Sequence, residues 1–172
     1  MSEPVRRPYP PDREPGATPL REFGDLADAE IVDVDWANRS ARRTTARRLV
    51  VRRSRFTGAE LGESELLDVS FVDCRLDLVG LRHATLQRVR FEDCRLTECD
   101  LAGSRLVDVA FERCELRGAT FSNVSLERVS FETCDLLGLR GAEGLRGASM
   151  AWEDVLANAP TLAAALGIEL LG

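Results

Sequence analysis

From Val51 to Leu136 every fifth residue is apolar: Val51, Phe56, Leu61, Leu66, Phe71, Leu76, Leu81, Leu86, Phe91, Leu96, Leu101, Leu106, Phe111, Leu116, Phe121, Leu126, Phe131 and Leu136. Eighteen unbroken hits exclude an amphipathic helix, whose apolar face returns about every 3.6 residues. Two residues before each centre from Phe56 onward sits a small or β-branched residue. That series opens with Ser54, Ala59, Ser64, Val69 and Cys74 and closes with Val124, Val129 and Cys134. All five cysteines fall in it. In an extended chain residues i and i−2 point to one side, so each unit sends a large centre and a small neighbour inward. Two of the three remaining positions are consecutive, which breaks strand alternation and implies a corner. Each five-residue unit reads as a short strand plus a turn.

A second period sets the number of corners. Phe71, Phe91, Phe111 and Phe131 are 20 apart, each preceded at i−2 by valine, and Cys74, Cys94, Cys114 and Cys134 repeat with the same spacing. Four units per coil give a square cross-section. The outward charges agree: Asp28, Arg48, Asp68, Arg88, Asp108 and Arg128 alternate in sign at every twentieth position, and Asp33, Arg53 and Asp73 do the same. Coils stacked at about 4.8 Å turn these columns into ladders of opposite charge. In-frame centres run back through Ala46, Ala41, Trp36, Ile31 and Leu26, which places the first coil near residue 24. Arg39 falls on an inward site, so a local distortion is expected over 37–46.

These repeats resemble those of the pentapeptide-repeat family, whose unit is Ala-Asp/Asn-Leu-x-x. The match of centres and i−2 positions covers residues 24–136, with Cys99-Asp100-Leu101 and Cys134-Asp135-Leu136 as full units. The resemblance implies an all-β solenoid, a right-handed quadrilateral β-helix, and right-handedness also follows from the general preference of parallel crossovers. Expected boundaries are a disordered or polyproline-like arm over 1–23, a β-helix over 24–150 and a helical cap or dimerisation tail over 151–172. Six of seven prolines lie in residues 1–19. After Leu136 the frame is lost, and the hexad Gly138–Glu143 recurs as Gly144–Ser149, so the last coil closes irregularly. Trp152, Val155, Leu156 and Ala159 share one helical face, Pro160 starts a second short helix through Leu166, and Gly167 suits its C′ position. A solenoid needs its end covered. Trp152, Val155, Leu156, Leu162, Leu166, Ile168 and Leu170 are therefore candidates for the cap or for a homodimer contact.

Composition narrows the function. The chain has 172 residues, one histidine and 23 basic residues that are all arginine. No run approaches the roughly 18 apolar residues of a membrane span, and the N-terminus lacks a secretory apolar region. Five cysteines, an odd number, suit a reducing cytoplasm. A column of thiols in an apolar core is inert and offers no tetrahedral ligand set. His83 points outward, away from the thiols, so no nucleophilic pair forms. No glycine-rich phosphate loop precedes a helix. The expectation is a non-enzyme without cofactor or metal.

Eight arginines between Arg39 and Arg55 suggest nucleic-acid binding, but in-register Asp28, Asp33, Glu63, Asp68 and Asp73 neutralise much of that belt. Glu92, Glu112 and Glu132 stack as like charges, flanked by Asp73 and Asp93, with Arg90 and Arg113 nearby. That stripe is the candidate protein-binding surface. The family resemblance implies one specific partner, DNA gyrase, bound by acidic rod-like dimers that imitate duplex DNA and protect against quinolones. A rod of nearly six coils, about 28 Å, would need about 16 negative charges to match DNA. Residues 22–36 carry −6, residues 37–55 carry +8, and residues 56–150 carry 17 acidic against 11 basic groups. The sum, −4, favours a scaffold for an unidentified protein partner, with the DNA mimic as the alternative.

Overall fold

The computed structural model describes residues 3–11 and 26–169. Six long strands, β1 (Leu26–Val32), β2 (Thr45–Arg52), β3 (Glu65–Val72), β4 (Thr85–Glu92), β5 (Arg105–Glu112) and β6 (Ser125–Glu132), are followed by the short β7 (Ser149–Met150). They form one parallel sheet in strict sequence order. Each long strand pairs with the next at a step of 20, as in Phe71 to Phe91 and Phe91 to Phe111. Single-residue bridges at Arg55, Arg75, Arg95 and Glu115, and at Glu60, Gly80, Asp100 and Thr120, repeat that step on other faces of the coil. The molecule is a β-solenoid of about six turns, as the double period requires.

The inward register is the expected one. Phe56, Leu61, Leu66, Phe71 and their equivalents are essentially inaccessible, as are Ala59, Val69, Val79 and Cys99. Phe71, Phe91, Phe111 and Phe131 stack with centroids 5.1, 5.0 and 4.9 Å apart and planes within 5° of parallel. Each such aromatic pair contributes about 0.5–1.5 kcal/mol beyond area burial. Coil geometry, rather than ring preference, sets this spacing.

Corners are built from left-handed residues two positions after each centre, including Asp28, Asp33, Asn38, Leu78, His83 and Arg88. Where Leu78 and His83 sit, backbone turns close the corner: Val79 N–H donates to the Leu76 carbonyl at 3.2 Å and Ala84 N–H to that of Leu81 at 3.1 Å. At Asp68 and its equivalents the left-handed residue lies inside a paired strand. Bonds from the adjacent coil hold the left-handed residues just past the long strands, for example Arg53 N–H to the Val72 carbonyl at 3.0 Å. Gly103 shows why some corners take glycine: a Cβ there would fall 2.5 Å from Nδ1 of His83.

One expectation for the coil needs correction. The coil runs through 37–46 undistorted, with Asn38 and Arg43 as regular left-handed corners and Ala41 N–H bonded to the Glu60 carbonyl at 2.8 Å. Arg39 is exposed instead of inward, and its guanidinium stands 5.7 Å from the centre of the Trp36 ring. At the other end, β6 and β7 pair at a step of 19, with a 3-10 turn over Ala142–Leu145 replacing a corner. Gly144 permits that turn, since a Cβ there would fall 2.2 Å from the Phe121 carbonyl oxygen.

The cap consists of α1 (Trp152–Ala157) and α2 (Ala159–Ala165). The face expected to cover the rod is not the face that does. Trp152 and Leu156 are 68% and 57% exposed, while Asp154, Asn158 and Thr161 are buried. These polar side chains close the edge of the last coil. Asp154 accepts from Thr133 N–H at 2.8 Å, and Asn158 accepts from Leu136 N–H at 2.8 Å. Asn158 also donates to the Cys134 carbonyl at 3.0 Å, and Thr161 donates to that of Leu136 at 3.3 Å. An exposed strand edge presents unpaired amides and carbonyls, so hydrogen-bonding capacity is what an end cap must supply.

Candidate interaction surfaces

Outward side chains at the left-handed corners stack by coil. The Asp28-to-Arg128 column resolves into pairs, each arginine reaching back one coil to an aspartate. Arg48 binds Asp28 through two bonds of 2.5 and 2.6 Å, Arg88 binds Asp68 at 2.6 and 2.9 Å, and Arg128 binds Asp108 at 2.7 and 2.8 Å. Fork-to-carboxylate geometry makes these the strongest surface pairs available to arginine. At Asp108 the bond from Arg128, against the opposing effect of burial, holds the carboxyl below its usual value. At Asp68 burial pushes upward, but Arg88 and the Tyr9 amide outweigh it, and the carboxyl again lies low.

The basic belt is largely spent on such pairs. Arg42 and Arg43 share Glu63, Arg52 binds Glu30, Arg53 binds Asp33 and Arg55 binds Asp35. The acidic stripe is compensated in the same way. Glu92, Glu112 and Glu132 do lie in register on β4, β5 and β6. Arg113 bonds to Glu92 at 2.6 Å and Asp93 at 2.7 Å, and Arg90 to Glu112 at 2.5 Å. Asp73 and Glu132, at the two ends of the stripe, have no ion pair within 4 Å among the described residues. Two arginines therefore neutralise the middle of what the sequence presents as an anionic face.

The thiols are inward. Cys74, Cys94, Cys114 and Cys134 each direct Sγ–H toward backbone carbonyls, Cys94 toward Phe71 at 3.4 Å and Glu92 at 3.3 Å. Hydrogen bonds with Cys114 and Cys74, together with burial, push the Cys94 thiol up, and burial, reinforced by the charge of Asp100, does so at Cys99. Among the described residues no cluster of histidine, cysteine and carboxylate could hold a metal ion. His83 stands on an exposed corner, on the opposite side of the chain from the thiols.

Of the end residues, Leu162 packs on the core and Val155 is half-buried. Trp152, Leu156, Leu166 and Ile168 are more than half exposed, and Leu170 lies outside the described residues. The residues that dock the cap, Asp154, Asn158 and Thr161, were legible in principle. Asp154 lies on α1, Thr161 on α2 and Asn158 at the junction between them, a polar spacing the sequence displays.

One further surface was not anticipated. Residues 3–11 of the expected arm have no regular secondary structure, yet they lie on the rod; residues 12–23 are outside the described part. Arg6 N–H donates to Asp108 at 3.1 Å and Tyr9 N–H to Asp68 at 3.0 Å. The Arg88 guanidinium stands 5.2 Å from the centre of the Tyr9 ring.

Comparison with known proteins agrees with this geometry. Residues 53–121 match the family model of the pentapeptide repeat region. Among solved structures, the chain is similar to QnrB1, a plasmid-mediated fluoroquinolone resistance protein. The TM-score is 0.52 at 15% identity, over 83% of this chain and 100% of that one. It is also similar to a pentapeptide repeat protein of the Arabidopsis thaliana thylakoid lumen, with TM-score 0.52 at 23% identity, over 55% of this chain and 68% of that one. At these identities the likeness is one of fold. No curated protein sequence matches the chain. No helix among the described residues is long and apolar enough to cross a membrane.

Proposed function

Because the chain is a pentapeptide-repeat protein, we propose that it is a non-enzymatic scaffold of the cytoplasm that mediates protein–protein interaction. The observation that carries this reading is the division of labour in the cap. Polar residues attach it to the rod, which leaves Trp152, Leu156, Leu166 and Ile168 exposed at one end. Large apolar side chains that are not needed for capping mark a contact surface. A second copy of the chain is the partner we assign to that end. The five free, buried cysteines support a reducing compartment. The compensated stripe of Asp73, Glu92, Asp93, Glu112 and Glu132 serves as a secondary, polar face of the scaffold.

The experiment is sedimentation equilibrium of the wild type and of Trp152→Ser/Leu166→Ser. The expected outcome is a wild-type dimer that the double variant converts to monomer without loss of fold. A wild type that stays monomeric up to high micromolar concentration would overturn the homodimer.

The alternative is a DNA mimic that binds gyrase and modulates quinolone sensitivity. Its support is the shared fold with QnrB1. Against it stand Arg90 and Arg113, which pair with the in-register run Glu92–Glu112–Glu132 on the long strands.

A further inference from the structure

The Asp28-to-Arg128 column is a ruler as well as a ladder. Because the signs alternate, carboxylates recur on every second coil, about 9.6 Å apart at 4.8 Å per coil. A polyproline II chain rises about 9.3 Å over three residues. The two lengths agree, so an extended peptide laid along the corner presents the same backbone position to each successive aspartate. Residues 3–11, Glu-Pro-Val-Arg-Arg-Pro-Tyr-Pro-Pro, do this. Tyr9 N–H meets Asp68, Arg6 N–H meets Asp108 three residues earlier, and three residues before that Glu3 comes within 3.9 Å of Arg128. The prolines at 4, 8, 10 and 11 all avoid the donor positions 6 and 9, so their missing N–H costs no bond. Between the two aspartates Arg88 faces the Tyr9 ring, a cation–π contact.

The rod carries marks of this occupancy. Asp68 and Asp108 side chains are 6% and 3% exposed, whereas the identically paired Asp28 retains 25%. Both oxygens of each aspartate already bind arginine, and the arm amide takes a remaining lone pair as a charge-assisted bond. Beside the corner the outward column reads Ser70, Arg90, Ala110, Ser130. Ala110, Ser130 and Arg90 line a cleft with Val5, Arg6 and Pro8. Small residues at 110 and 130 leave the strap its room.

We propose that the Asp68–Arg88–Asp108–Arg128 corner is a docking track for an extended proline-rich peptide with a free backbone N–H at every third residue and an aromatic ring over Arg88, and that residues 3–11 are its resident occupant. The arm is thereby a removable cover over this corner of the rod. This holds whether or not the cap dimerises or gyrase binds.

Two readouts on the full chain test it. In the wild type, amide hydrogen exchange at Arg6 and Tyr9 is expected to be about tenfold or more slower than at Val5 and Arg7 in the same segment. Equal rates at all four would overturn the docking. In the full-length Arg6→Pro/Tyr9→Pro variant both donors are gone while the polyproline conformation is kept, so the track is open. A fluorescent peptide of residues 3–11 is expected to bind this variant saturably. Its apparent affinity for the wild type should be about tenfold or more weaker, because the tethered arm occupies the site. The same peptide carrying Arg6→Pro/Tyr9→Pro should not bind. Failure to bind the opened variant, equal binding to variant and wild type, or equal binding of both peptides would each refute the track.

Discussion

Single positions in this chain are decided by which way they face. A cysteine at an inward site is a small hydrophobe with a weak donor, and Ser54 shows the same site filled by a hydroxyl that donates to the Arg52 carbonyl at 2.8 Å. All five thiols are free and buried, so the column is withheld from reagents in solution. Thiol titration with Ellman's reagent should therefore find no accessible cysteine in the native protein and five after denaturation; rapid labelling of the native chain would contradict this placement. These inward positions were legible because their chemistry is tied to a strict period. The corner conformations were not. Most left-handed positions hold Asp, Arg, Glu or even Leu78 rather than glycine, so composition carries no turn signal there. Bonds from the next coil impose the geometry, and such bonds are non-local.

At the scale of elements, the coil was readable and its ends were not. Period, sign alternation of the charge columns and irregular closure after Leu136 all follow from spacing alone. Covering the end was expected to be an apolar task, which pointed to Trp152 and Leu156. A coil edge instead exposes amides and carbonyls, and Asp154, Asn158 and Thr161 satisfy them. Removing one such partner leaves a buried group unsatisfied, at a cost of about 1–3 kcal/mol. Asn158→Ala should accordingly lower the denaturation midpoint well below that of the wild type. Leu156→Ala, at an exposed position, should leave it nearly unchanged. The reverse order would mean that the cap is held by apolar contact after all.

Across the whole molecule, the charged surface is largely a set of intramolecular ladders, and this bears on stability. The folded-state carboxyls of Asp68 and Asp108 lie below their ordinary value of 3.8. A lowered value means that the unfolded chain takes up protons first as pH falls. Their contribution is thus intact above pH of about 5 and is lost as pH drops through 3.8 toward the lower folded values. Thermal melts should be flat from pH 7 to 5 and fall steeply below about 4, and Asp68→Asn/Asp108→Asn should start lower and fall less. An identical pH slope in that variant would remove the ladder from the stability of the rod. The arm's docking was invisible in sequence because a proline-rich segment is normally read as detached, and only the 20-residue step reveals the matching ruler. The same pairing argues that the rod presents surfaces rather than a polyanion. Gyrase supercoiling with purified full-length protein, over a salt series and with a fluoroquinolone present, separates the two most directly. A scaffold with neutralised faces leaves supercoiling and drug inhibition unchanged at micromolar protein. Inhibition or protection that disappears on reversing Glu92, Glu112 and Glu132 would show instead that the compensated stripe still works as a DNA mimic.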